Sequence, residues 1–414
     1  MIEQNWSGRG QHVEFRKDER RLVNELLEVI DTLGKGSSAI VESVKCRRIL
    51  LARKTIFCNR NLTKAEAISE VAHLTRLSHS HVVRLIGTYT LGRELSILTY
   101  PVAEQNLEEF LHTFSLEISS DKIYEMSLSI EKFFACLSDT LHYIHRNLVK
   151  HVDIKSQNLF VRKIEPSHRE SSPQYYKIYL ADFGISRSYQ RSEEVETNGP
   201  TGFTRKYAAP EVIDQGSRGF PADVFSLGCV FLKIFASLHD YSNVPDVESS
   251  MQDSIQAILD NNTRGLRCYY ANIDRLTECI FPDHWSNQGR EHVILPMLPP
   301  HTLELIKGMF SFNPKVRPTS QQLIDHFGEL LCCQLGAEAL EATPKTLDNP
   351  KYTRMRERVR GDVLTSLRFR MEGLATANCS GVYAVKESHG EDIQTSILRN
   401  TYLMCLHVDM NTWS

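Results

Sequence analysis

The chain has 414 residues, of which 41% are hydrophobic and 24% charged, close to ordinary globular usage. Lysine and arginine number 48 against 51 aspartates and glutamates, a net charge of −3. These values exclude a fully disordered, collagen-like or membrane-bundle chain, and bulk charge gives no reason to expect nucleic acid or an anionic membrane as partner. At roughly 150 residues per domain, the length suits two or three lobes. Ten cysteines are scattered without a CxxC pair, which argues against zinc-ribbon and thioredoxin sites and for a reducing compartment. Residues 1–15 have no apolar core of signal-peptide length. No apolar run reaches the ~18 residues of a membrane span; Leu227–Leu238 comes nearest and is interrupted by Lys233. The expectation is an intracellular protein, cytoplasmic or nuclear, without a membrane span.

Residues 1–21 are polar and mixed in charge, with RKDERR at 16–21, and read as a short arm. LLEVIDTL, AIVESVKC and ILLARKTI follow as three β-rich runs, separated by a glycine-rich turn and by Arg47-Arg48. In KAEAISEVAHLTRL, residues 64–77, Ala67, Val71, Leu74 and Leu77 fall at helical spacing. VVRLIGTYT and LSILTY read as two more strands around Gly92. After Pro101 the periodicity turns helical. NLEEFLHTF and the stretch from Ile123 to Ile144 read as amphipathic helices, and helices dominate to Leu331. LFVR (159–162) and KIYLADFG (177–184) form a β patch with a polar loop between them. A β-rich first lobe, about 22–100, joined to a mainly helical second lobe, about 103–331, is an α+β arrangement. Residues 332–414 form an extension of irregular composition.

Chemistry concentrates in six segments. Leu33-Gly34-Lys35-Gly36-Ser37-Ser38-Ala39 is glycine-rich, and glycines let backbone N–H groups approach phosphate. Alone, this is equally an ordinary hairpin turn. Lys54 sits on an otherwise apolar strand, where a lysine is usually a solvated edge charge. Glu70 on the following helix could hold it so that the ammonium grips phosphates; alone, Glu70 is a surface residue. In His151-Val152-Asp153-Ile154-Lys155-Ser156-Gln157-Asn158, an aspartate can orient a hydroxyl or accept its proton. The lysine can neutralise a phosphoryl group, and the asparagine carbonyl can ligate a metal. Asp182-Phe183-Gly184 and Ala209-Pro210-Glu211 follow.

In this order and spacing these segments resemble the signature of the eukaryotic protein-kinase family, serine/threonine type. The resemblance covers about 22–331 and includes Asp223 in DVFSLG and Arg317 in NPKVRPT. It implies the bilobal kinase fold and an ATP- and Mg²⁺-dependent enzyme acting on Ser or Thr of protein substrates. Gly34 and Gly36 would cover the phosphates. Lys54 would hold them and pair with Glu70. Asp182 and Asn158 would bind Mg²⁺, Asp153 would orient the acceptor hydroxyl, and Lys155 would stabilise the transferring group. Val41 and Ala52 would roof adenine and Phe160 would floor it. Thr99 falls at the gatekeeper position, and Tyr100 and Val102 would bond adenine through backbone groups. Pro101 occupies the hinge position whose amide is not needed. Leu74, Leu85, His151 and Phe183 would stack as an internal spine anchored by Asp223. Glu211 and Arg317 would form a buried salt bridge. Thr204 would bridge Asp153 and Lys155, the mark of Ser/Thr acceptors, and Ile185 leans toward threonine. PVAEQNLEEFL and TRKYAAPE also resemble members from filamentous fungi.

Several residues depart from the family pattern. Val152 stands where many regulated kinases carry an arginine that pairs with an activation-loop phosphate. Phosphorylation of Ser192, Thr197 or Thr201 therefore lacks its usual contact. Ala39 replaces the third glycine, and Phe203 the glycine before Thr204. The polar stretch within 240–300 reads as a surface insertion. In the extension, KYTRMRERVRGDVLTSLRFRM clusters basic residues, and Val359, Val363, Leu364 and Leu367 give it one apolar side, as a docking or autoinhibitory helix or a solvated one would have. The rival reading is a pseudokinase, a nucleotide- or protein-binding scaffold that kept the fold without the chemistry.

Overall fold

The computed structural model describes residues 5–36, 39–58, 71, 74–164, 175–183, 187–188, 204–214, 216, 219–242, 250–261, 267–280 and 298–328. All belong to one compact unit, Met1–Ser366. Glu70, Gly184, Ile185, the activation-loop residues Ser192, Thr197 and Thr201, Phe203, and the extension 332–414 lie outside the described residues, as do 243–249, 262–266 and 281–297 of the 240–300 insertion.

Six strands form one sheet in the order β1-β5-β6-β4-β3-β2: β1 His12–Phe15, β2 Glu28–Lys35, β3 Ala39–Cys46, β4 Ile49–Phe57, β5 Arg84–Leu91 and β6 Glu94–Tyr100. The five expected strands are present, joined as antiparallel neighbours. Arg47 turns β3 into β4 with φ 58°, and Gly92 turns β5 into β6 with φ 64°, a backbone region that glycine occupies without strain. β4 shows why the pattern folds as it does. Leu51, Arg53 and Thr55 are buried while Ala52 and Lys54 between them are only half-buried, the period-two alternation of a strand with two different faces.

Residues 5–21 do not form a free arm. From Asn5 onward the segment is built into the sheet's outer face, so residue 21 is not a structural boundary. β1 pairs in parallel with β5, and Arg20–Leu26 is a helix. Trp6, Phe15, Val23 and Leu27 are buried with Val44, Leu51, Ile86, Tyr89 and Leu98 in a core of their own. Trp6 donates its Nε1 proton to Gln11 O at 2.9 Å, so burial leaves its polar end satisfied. Gly87 leaves the space for it: a Cβ there would lie 2.3 Å from Trp6 Nε1.

The second lobe is helical. Asn106 caps Leu107–Leu116 by accepting from Glu109 N, while Glu109 accepts from Asn106 N, a reciprocal cap. Helices Ser120–Arg146 and Pro221–Ser242 run through the core. Phe134 and Phe231 pack on Phe327 of the helix Ser320–Phe327. Pro221–Asp240 is apolar and long enough to cross a membrane, with mean hydropathy 1.5, yet 89% of it is buried in the protein, as a core helix would be. β9 Leu159–Lys163 lies between β7 Gln105–Asn106 and β10 Tyr176–Leu180, and β8 Val149–Lys150 pairs with β11 Arg187–Ser188. The structure is thus the expected α+β pair of lobes, a strand-rich first and a helical second.

Candidate active site

The catalytic turn leaves β8 and is fastened by one buried carboxylate. Asp223, in the first turn of Pro221–Ser242, accepts from His151 N at 2.9 Å and Val152 N at 2.8 Å, and faces His145 Nε2 at 3.2 Å. Burial pushes its carboxyl up. The His145 hydrogen bond, the His145 and His151 charges and the Val152 amide outweigh that, so the net shift is downward. The turn it holds is strained: Val152 has φ 70°, which is costly for a β-branched residue. His151 is buried, which lowers its pKa. Its Nε2 lies 3.0 Å from Ala181 O, and its ring packs edge-on against Phe183 at 4.7 Å. Leu74, Leu85 and Phe183 share the main core, so the expected spine residues are all buried together.

Immediately beyond Val152, at Asp153, the polar groups converge. Lys155 Nζ lies 2.5 Å from Asp153 Oδ2 and 2.7 Å from Thr204 Oγ1. Thr204 N donates to Asp153 Oδ1 at 3.2 Å. Asn158 Nδ2 donates to Asp153 O at 2.9 Å and to Asp153 Oδ2 at 3.0 Å. Three residues, up to 51 positions away in the chain, thus fix one carboxylate. Thr204 is delivered by the turn Arg205–Tyr207, anchored where Ser226 Oγ donates to Tyr207 O at 2.9 Å.

Lys54 Nζ meets Asp182 Oδ1 at 2.6 Å. Asp182 stands just past β10 with φ 63°. Burial raises its pKa, but the charge and hydrogen bond of Lys54, with His151 and Lys155, bring it below the usual carboxylate value. The expected Lys54–Glu70 pair involves a residue outside the described set.

Of the remaining expected residues, Val41, Ala52 and Thr99 share one face of the six-stranded sheet, while Phe160 lies on β9 of the second sheet. Gly34 pairs with Val41 and Val41 with Lys54. On the adjoining rung Ser43 pairs with Ala52, and Ala52 with Thr99. Val41, Ala52, Thr99 and Phe160 are all half-buried. Gly36 N donates to Ala39 O at 2.8 Å, closing the hairpin. Tyr100 precedes a cis bond to Pro101, and Arg162 donates to its hydroxyl at 3.1 Å. Val102 is half-buried beside it. Away from the cleft, Arg317 grips Glu211 through NH1 at 2.6 Å and NH2 at 2.8 Å, and its Nε reaches Ser311 O at 2.7 Å, the expected ion pair.

Sequence reasoning missed two pairings. One is Lys54–Asp182, which spans 128 positions. The other joins Lys233 to Glu108, whose Oε2 also accepts from Gln157 Nε2 at 3.4 Å. Its signal was present: Lys233 is the one charge in the most apolar stretch.

The family description "Protein kinase domain" matches residues 27–327. The chain is similar to Cell division control protein 2 homolog 2 of Trypanosoma brucei brucei, 26% identical over 72% of this chain and 80% of the relative. It is also similar to Cyclin-dependent kinase 7 of Carassius auratus, 23% identical over 72% and 81%. A third relative is the probable serine/threonine-protein kinase nek3 of Dictyostelium discoideum, 26% identical over 72% of this chain and 23% of the relative.

Proposed function

The chain belongs to the protein kinase domain family, and from that premise we propose that it is a serine/threonine protein kinase moving the γ-phosphoryl group of Mg-ATP onto a Ser or Thr hydroxyl of a protein substrate. The observation that carries the reading is the Asp153–Lys155–Thr204 constellation, with Asn158 behind it. Asp153 is pre-positioned by three neighbours, so it can orient an acceptor hydroxyl and take its proton without first reorganising. Lys155 stands beside that carboxylate and offers positive charge where the transferred group must arrive. The Lys155–Thr204 hydrogen bond supports a Ser/Thr acceptor, as does the name of the nek3 relative.

The residues fit ATP and Mg²⁺. The Asp182 carboxylate and the Asn158 amide oxygen are hard donors of the kind Mg²⁺ takes alongside phosphates. The Asn158 amide nitrogen is already committed to Asp153, which leaves its oxygen for a cation. Lys54 would hold phosphate beside Asp182. Gly34 faces open space, since a Cβ there would meet nothing within 4 Å, so the hairpin can cover phosphates from above. When bound, Mg-ATP supplies the phosphoryl group and the metal charge that screens it. An intracellular setting goes with this reading; the described cysteines Cys46, Cys58, Cys136, Cys229 and Cys268 are free thiols.

The test compares native protein with Asp153→Ala, each given Mg-ATP and a degenerate peptide mixture, followed by phosphoamino-acid analysis. Phosphoserine and phosphothreonine are expected, with a loss of about 10²–10⁴-fold in the variant. ATP binding without transfer by either protein would favour the scaffold reading instead.

A further inference from the structure

Lys233 is the single charged residue between Val224 and Leu238 of a core helix, yet its ammonium does not end in the core. It emerges against Glu108, near the start of Leu107–Leu116, and that carboxylate also accepts from Gln157 on the catalytic turn. The Lys233 side chain is 19% exposed and that of Glu108 40%, so the cation is the inner member and the anion the outer one. Gln157 follows Lys155 by two residues. Ser156 Oγ lies 3.4 Å from Tyr207 Oη, and Tyr207 follows Thr204 by three. The pair therefore adjoins the place where an acceptor hydroxyl must sit. Besides the Asp153 carboxylate, already held by Lys155, the charges that follow Thr204 are positive. Arg205 is exposed, and half-buried Lys206 lies over the Tyr207 ring at 5.9 Å. Burial lowers the Lys233 pKa, the Lys206 charge adds to that, and Glu108 only partly offsets it. Near the catalytic turn, Glu108 thus faces Lys233, with Lys206 close enough for its charge to act on the same ammonium, and a second anion would be drawn to the site.

We propose that Lys233, with Lys206 beside it, reads an acidic side chain of the protein substrate close to the acceptor hydroxyl, and that Glu108 holds the ammonium in its absence. The inference rests on the kinase reading above and names its substrate class: serine or threonine in a carboxylate-rich context. Glu108 competes with the incoming carboxylate, so the two residues act in opposite directions on selectivity.

The experiment measures binding of the full chain to fluorescent peptides with one central serine flanked by glutamates, glutamines or lysines. Anisotropy reads affinity without any transfer, so absence of phosphorylation would count against the kinase reading alone. Native protein should bind the glutamate peptide ~10-fold tighter than the glutamine peptide. Lys233→Gln should bring that ratio near one, Lys233→Arg should restore it, and Glu108→Gln should raise it above native. Added salt should shrink it. Because Glu108 lies toward solvent, its variant tests the idea even if Lys233→Gln folds poorly. Tighter binding of the lysine peptide, or one ratio shared by native protein and both charge-removing variants, would overturn the proposal.

Discussion

The two faces of the six-stranded sheet are finished in opposite ways. On the outer face, Leu51, Val44 and Leu98 are closed over by Trp6, Phe15, Val23 and Leu27, and even Arg53 is buried, paired to Glu42 at 2.8 Å and bonded to Tyr89 Oη at 3.3 Å. On the cleft face, Val41, Ala52, Lys54 and Thr99 stay half-buried. These alternate with the outer residues on the same strands, so one backbone serves both. Apolar burial stabilises in proportion to area removed from water, ~25 cal/mol per Å². The cap concentrates that stabilisation where no ligand has to enter. The cleft face can then keep small side chains and a lysine without endangering the lobe.

The largest expected effect breaks the comparison on the polar side. Asp223→Asn keeps the shape but loses the charge that holds His151 N, Val152 N and His145. With Val152 at φ 70°, the turn should relax and displace Asp153. Misplacement of about 1 Å costs on the order of 10²-fold, so transfer to a peptide should fall at least that far. Stability follows with a definite sign. Asp223 has a pKa below its unfolded value, so its contribution is present above the ordinary carboxylate pKa and is lost as pH falls through the folded one. In the variant, the acid limb of a melting-temperature profile should be flatter. An unchanged limb would mean that Asp223 contributes nothing through its charge.

The second test acts on the cap and should leave chemistry alone. Trp6→Ala empties a fully buried site and should cost about 3–5 kcal/mol of stability, read from urea unfolding. Gly87→Ala should be as harmful in native protein, because its Cβ would meet Trp6 at 2.3 Å. In the Trp6→Ala background that clash is gone, and the one with Gln11 O at 2.5 Å remains. The double variant should therefore lose less than the sum of the two single costs, a coupling that independent sites do not show. Costs that simply add would show that Trp6 does not occupy the Gly87 notch.

This contrast also explains what could be read from the chain beforehand. The strands β2 to β6 were legible because each keeps one local period, and the catalytic turn because its residues lie within eight positions, from His151 to Asn158. The cap was not. Its apolar residues Trp6, Phe15, Val23 and Leu27 are spread across a turn, a strand and a helix, so no single period gathers them, and RKDERR between them reads as solvated. Lys54–Asp182 and Lys233–Glu108 were hidden for a different reason. Spacing along the chain says nothing of a pairing made only when two lobes, or two distant helices, come together. Thr204 was legible only through its resemblance, and the structure gives it a physical partner in Lys155.

The smallest expected effect concerns Val152, which like Ile154 brings no polar side chain to the catalytic turn. Asp153, Lys155 and Asn158 are tied through their side chains, but Val152 contributes only its amide, to Asp223. An arginine here would offer a guanidinium to an activation-loop phosphate; valine offers none. Asp153 is instead oriented by Asn158, Thr204 and Lys155, all contacts made without phosphate. Phosphatase-treated protein should therefore keep its transfer rate within about tenfold of the untreated protein, a difference under ~1.4 kcal/mol in barrier. A steeper loss would place a phosphate-dependent contact somewhere other than residue 152, and introducing Val152→Arg would then add to the dependence. If the rate holds, Val152→Arg should be the change that creates a dependence, because it supplies the missing cation to a turn already fixed by Asp223.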